Sequence, residues 1–516
     1  MTKNRTRNYL LGVGTGYVAT LASILIALWF APFTLRYISA EAYGINSVIG
    51  SIVLWTQIAT LGFPAWLSLY LAQHIDTISV EEINKHFSTV TALQIIAVVA
   101  TFAVGVVVAL NFTSLFEISP ALQDQASLVA ILVFLAVICG LIEQPFSMLL
   151  IAHQQMYYES LMQLLSLLIR TAVGVTLLLA GFNVISIALG IAVGAFIGMI
   201  FTIRRAYQLT PGLDFRLRSF STERIGEILS LSFWWTVTYV AGILIESSDQ
   251  IVAARVISLE AVTVMVLTGR TFTLSTSALH RLARAARPML GQLIGQKDWE
   301  RLEETYRQLF TLSTGVALAV SAALWAGNAI FTRAWVGEEN YGGVWLGLAF
   351  ALNLLVNTWV QPQISLLNSL MIARQQAVIR LVEAALNLTL SILLAQRFGI
   401  AGVILGTTLA AAFTSLLYLP YLVSRALKRP YLPFLAAKTI PILKAIIFIG
   451  PVSVAVQMIF QSVQGLVGAS VVIGLSFVIN MVILWFVTFD DAIRERILSV
   501  ARRLQQAVRG RLAASA

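Results

Sequence analysis

The amino-acid sequence predicts an all-α polytopic membrane protein of about fourteen transmembrane helices, arranged as two pseudo-symmetric six-helix bundles around a central cleft plus two extra C-terminal helices. Three observations predict it. Of 516 residues, 58% are hydrophobic and only 11% charged, with a mean hydropathy of +0.85, whereas soluble domains carry about 25% charged residues. The apolar residues come in blocks of roughly 20, the length that crosses a hydrocarbon layer about 30 Å thick at 1.5 Å per helical residue. Short polar motifs recur in the second half of the chain at nearly one spacing. The alternating segments of about ten residues that mark a transmembrane β-barrel are absent.

The elements follow in order. The first block, near 10–35, has a basic head but runs beyond the 7–15 apolar residues of a signal peptide and lacks a small-residue cleavage site, so it is expected to be retained as a span. Arg36 separates it from a second span near 44–72, and Lys85 precedes a third near 87–110. Spans four and five, near 127–151 and 158–180, flank the turn IAHQQ, and span six covers 184–203. A basic link from Arg204 to Arg224 leads to span seven, near 230–254, and Arg255 to span eight, near 261–284. After the basic stretch ending at Arg307 come spans nine and ten, near 309–332 and 344–370. Spans eleven and twelve, near 377–396 and 400–424, meet at Arg397, and the last two lie near 440–461 and 466–489.

Lysine and arginine mark the cytoplasmic side of membrane proteins. With the N-terminus inside, 29 of the 34 fall on inner segments, while Arg36, Arg255, Arg333 and Arg397 lie outside and Arg170 lies within span five. Both termini are therefore expected to be cytoplasmic. The tail from Asp490 reads as a basic amphipathic helix on anionic headgroups. No loop exceeds about 25 residues, which leaves no room for an extramembrane catalytic domain. Cys139 is the only cysteine, and His74, His86, His153 and His280 are scattered without metal-ligand spacing, so neither a metal nor another cofactor is expected. Gly12, Gly14 and Gly16 lie in a membrane helix with no preceding strand and are not a nucleotide fingerprint.

The repeat organises the chain. RYISAEA at Arg36 returns as RVISLEA at Arg255, Gln144-Pro145 as Gln361-Pro362, and IAHQQ at Ile151 as IARQQ at Ile372. Six spans separate the copies, an even number, so the repeat is parallel, with its axis along the membrane normal. The expected domains are 1–215 and 216–430, one six-helix bundle each, and 431–516, two helices with a basic tail. Gly190, Gly194 and Gly198 form a small-residue ridge for close helix packing. Pro32, Pro64, Pro145 and Pro362 interrupt their spans, which is tolerated beside a polar cavity, so those helices are expected to line the cleft.

The stretch from Leu35 to Gln73, RPMLGQLIGQKDWERLEETYRQ at Arg287 and RFGIAGVILGTTLA at Arg397 resemble the polysaccharide-transporter, or O-antigen flippase, family. That family belongs to the superfamily that also holds multidrug antiporters and lipid II flippases. The resemblance implies a lipid-linked oligosaccharide, carried on polyprenyl pyrophosphate and moved from the inner to the outer leaflet. It implies a bacterial inner membrane as the location, membrane lipids and polysaccharide assembly proteins as partners, a monomer, and no nucleic acid.

Ionisable groups within spans are costly and mark functional positions. Arg270, about nine residues into span eight, is expected to contact substrate phosphate, and Glu246 or Asp249, three apart on span seven, to take up a proton; the alternative is an ion pair that docks the two helices. Arg170 forks onto a phosphate or else pairs with Glu143, a further ion-coupling candidate. Arg36 and Arg255 guard the exit or snorkel to headgroups. Arg281, Arg284 and Arg287, spaced by three, are expected to share a face at the inner end of span eight and either collect an anionic headgroup or anchor the helix. A multidrug antiporter on the same scaffold would want acidic and aromatic groups for cations, and a membrane glycosyltransferase or polymerase a long outer loop with paired carboxylates.

Overall fold

The computed structural model describes residues 2–56, 63, 67, 71, 78–153, 155–216, 225–495 and 498. Its described residues are helices and their connections: α1 (Thr2–Thr34), α2 (Ala40–Thr56), α3 (Val80–Leu115), α4 (Gln123–Ala152), α5 (Met156–Leu179), α6 (Ile185–Leu209), α7 (Ile225–Val256), α8 (Leu259–Thr268), α9 (Arg270–Ala285), α10 (Arg287–Gly295), α11 (Trp299–Val336), α12 (Gly343–Ser369), α13 (Ala373–Phe413), α14 (Ser415–Ala426), α15 (Tyr431–Ile459) and α16 (Gly465–Val487). Among the described residues, nine helical segments are long and apolar enough to cross a membrane. Each of the fourteen expected spans overlaps at least one of the helices α1 to α16. Their outward faces are apolar, with Leu110 76% exposed on α3 and Phe486 73% exposed on α16, as bilayer contact requires. Pro64, His74 and the tail beyond 498 lie outside the described residues.

Spans eight and twelve differ from the expected continuous rods. Span eight is two helices, because α8 stops at Thr268 and α9 restarts at Arg270. Within α13 a kink at Gly399, which adopts the positive φ of 58° open to glycine at little cost, separates spans eleven and twelve, and span twelve is itself broken where α14 starts anew after Thr414.

The chain forms two compact units. The first holds Met1–Val266 and Ala395–Val403, and the second Leu267–Leu394 and Ile404–Ala516. In the first, α6 packs on α4 and α5, α3 on α4, and α1 on α5. The glycine ridge makes the α5–α6 contact: a Cβ on Gly190 would meet the Arg170 carbonyl oxygen at 2.5 Å, and one on Gly194 the Ser166 carbonyl oxygen at 2.7 Å. Only glycine lets the two backbones approach so closely.

In the second unit α11 is the central post. It packs on α12, α15 and α16, and its buried Phe310 stands edge-on to Trp359 of α12 with ring centroids 4.7 Å apart. Gly327 receives Ile473 of α16, where a Cβ would meet that side chain at 2.4 Å. The last two helices are thus built into the core around α11.

The repeated motifs have local structural reasons. Ser39 caps α2, its hydroxyl accepting from Ala42 N at 3.2 Å, and Ser258 caps α8, accepting from Ala261 N at 3.1 Å. Glu41 and Glu260 follow in the first turns, where a carboxylate complements the helix dipole. Each copy therefore encodes a chain reversal and a helix start. The QQ turns act similarly. Gln155 Oε1 accepts from Arg205 Nε and Nη2 at 3.0 and 2.9 Å, and buried Gln376 donates from Nε2 to Ile372 O at 2.8 Å. Pro145 lacks an N–H, which leaves the Leu141 carbonyl without its helical donor. Gln94 of α3 supplies one, Nε2 donating to Leu141 O at 3.1 Å and to Gln144 Oε1 at 3.0 Å.

Candidate functional site

In the first unit the two copies of the arginine motif meet. The Thr263 hydroxyl donates to Ala40 O at 2.6 Å, and Gly44 of α2 lies against the backbone of Leu259, where a Cβ would stand 2.1 Å from its carbonyl oxygen. Further along α2, Trp55 Nε1 donates to Ser247 Oγ of α7. Arg36 and Arg255, at the edges of this contact, are exposed and pair with none of the described residues. Glu246 is exposed and Asp249 half-buried on α7.

Arg170 lies in the middle of α5, held by the glycine ridge: a Cβ on Gly194 would stand 3.1 Å from its own Cβ. Pairing with Glu143 does not occur. Glu143 accepts instead from the Thr202 hydroxyl of α6 at 2.7 Å, and Glu159, a residue that sequence reasoning passed over, lies nearby beside Ser147. Arg170 makes no ion pair or hydrogen bond among the described residues, and its side chain is exposed on a helix of otherwise apolar surface.

The second unit holds the interrupted span. Gly269 separates α8 from α9 because Phe350 of α12 occupies the space that any side chain would need, at 2.3 Å from the position of a Cβ. The interruption exposes backbone groups, and buried polar side chains meet them. Asn328 of α11 donates to Thr268 O at 3.1 Å and accepts from the Thr271 hydroxyl at 3.1 Å, so one amide bridges both sides. The Thr268 hydroxyl donates to Asn340 O at 3.3 Å and accepts from Gly342 N at 2.9 Å. Arg270 is the first residue of α9, where the helix dipole already favours an anion. Its guanidinium is half-buried and makes no ion pair or hydrogen bond among the described residues.

Arg287 is different. α9 ends at Ala285 and α10 begins at Arg287, so the expected shared face holds only for Arg281 and Arg284. Arg287 Nη2 donates to the side-chain oxygen of Asn368 at 3.2 Å, whose amide donates in turn to Ile364 O at 3.1 Å and Gln376 Oε1 at 3.2 Å. Burial, and then the charge of Arg284, pull the Arg287 guanidinium below its usual range. Arg287 thereby ties α10 to the IARQQ turn.

A second residue that sequence reasoning passed over is Glu383. It is 1% exposed on α13 and ion-pairs with Arg380, itself 12% exposed, at 2.6 Å. Its other oxygen accepts from the hydroxyls of Thr414, at 3.1 Å, and Ser415, at the break between α13 and α14. The i, i+3 spacing of Arg380 and Glu383 is legible in the sequence; the hydroxyls that complete the site come from 31 and 32 residues away.

These features define a polytopic helical membrane protein with a latched turn pair, an interrupted helix and two arginines whose guanidinium groups have no partner among the described residues. The chain belongs to the polysaccharide biosynthesis protein family, whose model matches residues 11–294. The MatE family model matches residues 236–393. Over 458 residues the chain is 21% identical to the Uncharacterized membrane protein EpsK of Bacillus subtilis (strain 168), covering 88% of this chain and 90% of the relative. Its fold is that of the lipid II flippase MurJ in an inward closed conformation, with a TM-score of 0.69 at 13% identity over 92% of this chain and 99% of the other. A MATE family multidrug resistance transporter of the MOP superfamily, in an inward-facing conformation, aligns with a TM-score of 0.62 at 16% identity over 81% and 99% of the two chains.

Proposed function

We propose that this protein is a flippase that moves a lipid-linked oligosaccharide, carried on polyprenyl pyrophosphate, from the cytoplasmic to the outer leaflet of a bacterial inner membrane by alternating access. The observation that carries this reading is that the guanidinium groups of Arg170, in the middle of the apolar α5, and of Arg270, at the start of α9, make no ion pair or hydrogen bond among the described residues. A guanidinium within a membrane span and without an anion is unfavourable, whereas a pyrophosphate supplies an anionic partner that arginine can meet with two parallel hydrogen bonds. The helix N-terminus at Arg270 adds aligned N–H groups to the same recognition. Membership of the polysaccharide biosynthesis protein family makes a sugar-bearing anion the fitting cargo.

The latch supports alternating access. With both termini cytoplasmic, as the charge asymmetry indicates, the Thr263–Ala40 contact lies on the outer side and closes that end of the path. Inward movement of a proton or another cation would reset the carrier, with Glu246, Asp249 and Glu143 as its binding groups. The match of residues 236–393 to the MatE model favours a second reading, a multidrug or cation antiporter on the same scaffold.

The test is reconstitution of the purified chain in vesicles loaded on one leaflet with a polyprenyl-pyrophosphate oligosaccharide, scoring the sugar exposed to an added glycosidase. Arg170→Ala and Arg270→Ala are each expected to slow exposure about tenfold or more, the loss that follows removal of a charge-assisted contact. Unchanged exposure in both variants sinks the flippase reading, and export of an organic cation by the same vesicles would favour the antiporter.

A further inference from the structure

Arg270, Thr273, Ser277, Arg281 and Arg284 of α9 fall within about 80° of one another around the helix, at about 100° per residue, and form a stripe along it. Thr273, Ser277, Arg281 and Arg284 are exposed and Arg270 is half-buried. The opposite face carries the buried Phe272, Leu279 and Ala283, and α9 packs on α12 and α11. Among the described residues α9 exposes no large hydrophobic side chain, whereas α3 exposes Ile96, Val99, Phe102, Val107 and Leu110. A span whose open face carries guanidinium and hydroxyl groups is not matched to acyl chains, which satisfy neither. That face therefore meets water.

The stripe also carries charge that the elements packed against it do not balance. α9, α10 and α12 contain no Asp or Glu, and α11 has none after Glu304. Glu303 is held by Arg429 and Glu304 by Arg307. Arg284, like Arg270, makes no ion pair or hydrogen bond among the described residues. An arginine that only anchors a helix faces headgroups. Arg284 instead shares its face with Arg270, deeper in the span, and a face wet at that depth opens to solvent at its inner end.

We propose, resting on the flippase reading above, that this stripe is a wall of the transport path and that Arg284 is a binding residue at its cytoplasmic end, capturing the pyrophosphate of the arriving substrate before Arg270 receives it. Arg270 and Arg284 lie about 21 Å apart along the axis at about 1.5 Å per residue. Arg281, one turn from Arg284, extends the cationic end, and Thr273 and Ser277 fill the interval to Arg270 with neutral hydroxyls. Passage along a path needs sites strong enough to enter and weak enough to leave. Hydroxyls between two cationic stations meet that need, since they bond an anion without trapping it.

The first measurement uses the full chain with Cys139→Ser in lipid nanodiscs, where both membrane faces meet solvent. Thr273→Cys and Ser277→Cys are expected to react with a charged, membrane-impermeant thiosulfonate, while Leu110→Cys on α3 stays unlabelled. Inorganic pyrophosphate, compared with sodium chloride of equal ionic strength, is expected to slow labelling of Ser277→Cys and to lose that effect when Arg284→Ala is added. Stripe cysteines that label no faster than Leu110→Cys overturn the proposal, as does pyrophosphate protection that survives Arg284→Ala. The second measurement follows flipping against substrate concentration in vesicles. Arg284→Ala is expected to raise the half-saturating concentration about tenfold, the loss of one charge-assisted contact, whereas Arg270→Ala acts on the maximal rate. A fall in maximal rate alone in Arg284→Ala, or no change in either quantity, makes Arg284 a helix anchor and overturns its capture role. Labelled and protected cysteines in vesicles that flip no sugar would refute the flippase reading and leave the aqueous stripe standing; flipping with unlabelled stripe cysteines would refute the stripe alone.

Discussion

The hydroxyl of Thr263 donates to the carbonyl of Ala40 across 2.6 Å, joining the second copy of the arginine motif to the first. The bond connects equivalent turns, each capped by its own serine, which is the contact expected when two related helical pairs close on each other about a pseudo-twofold axis.

Gly44→Ala should weaken that contact. The added methyl would lie 2.1 Å from the Leu259 carbonyl oxygen, and backbone cannot rotate away as a side chain can. Overpacking of this kind costs about 1–3 kcal/mol, enough to shift a closed–open equilibrium about fivefold to a hundredfold. In a Cys139→Ser background, a cysteine placed at Ala40 should react faster with a membrane-impermeant thiol reagent when Gly44 is alanine. An unaltered labelling rate would show that the turns do not separate during the cycle.

Gln94→Leu should destabilise the first unit by about 1–3 kcal/mol, the penalty for an unsatisfied buried acceptor. The Leu141 carbonyl, deprived of its helical donor by Pro145, would then have none. Pro145→Ala restores an N–H to the helix and should recover most of the loss in the Gln94→Leu background. Thermal unfolding in detergent of the two single variants and the double variant measures the coupling; simple additivity would deny that Gln94 compensates for the proline.

Glu383→Ala should cost about 3–5 kcal/mol, because it leaves the buried Arg380 without its counter-charge. Two hydroxyls, of Thr414 and Ser415, lose their acceptor as well. Glu383→Gln retains an acceptor and should cost less. A loss confined to transport, with the unfolding midpoint unmoved, would instead make Glu383 a coupling residue.

Glu246→Gln tests the proposed proton coupling. A carboxylate that binds and releases the driving proton makes flipping depend on a pH gradient, whereas the amide cannot titrate. Vesicles carrying this variant should flip substrate at a rate insensitive to the gradient. The same gradient dependence as wild type would remove Glu246 from the coupling path and leave Asp249 and Glu143 to be tested.

Legibility followed the range of the interactions. The spans were readable because each depends on a local run of apolar residues, and the repeat because its turns use local chemistry: a serine N-cap, an acid in the first turn, a glutamine folded onto its own turn. The glycine ridge on α6 was legible from its spacing of four, which places Gly190, Gly194 and Gly198 on one face. The interruption of span eight was not. Nothing in its own composition breaks that helix; Phe350 and Asn328, from α12 and α11, set the break at Gly269 and satisfy its backbone. The alternative of an Arg170–Glu143 pair was not decided by spacing either: Thr202 of α6 takes the carboxylate.

The sequence by itself determined the membrane class, the order of the helices and their doubled arrangement, because hydrophobic length and capping act over a few turns of one helix. Only the tertiary structure decided which arginines are left without a partner and which are tied down. Arg170 and Arg270 remain open while Arg287 is held by Asn368 and Arg380 by Glu383. Whether a charge in a membrane helix is neutralised depends on groups far away in the chain, and those meet it only when the helices pack.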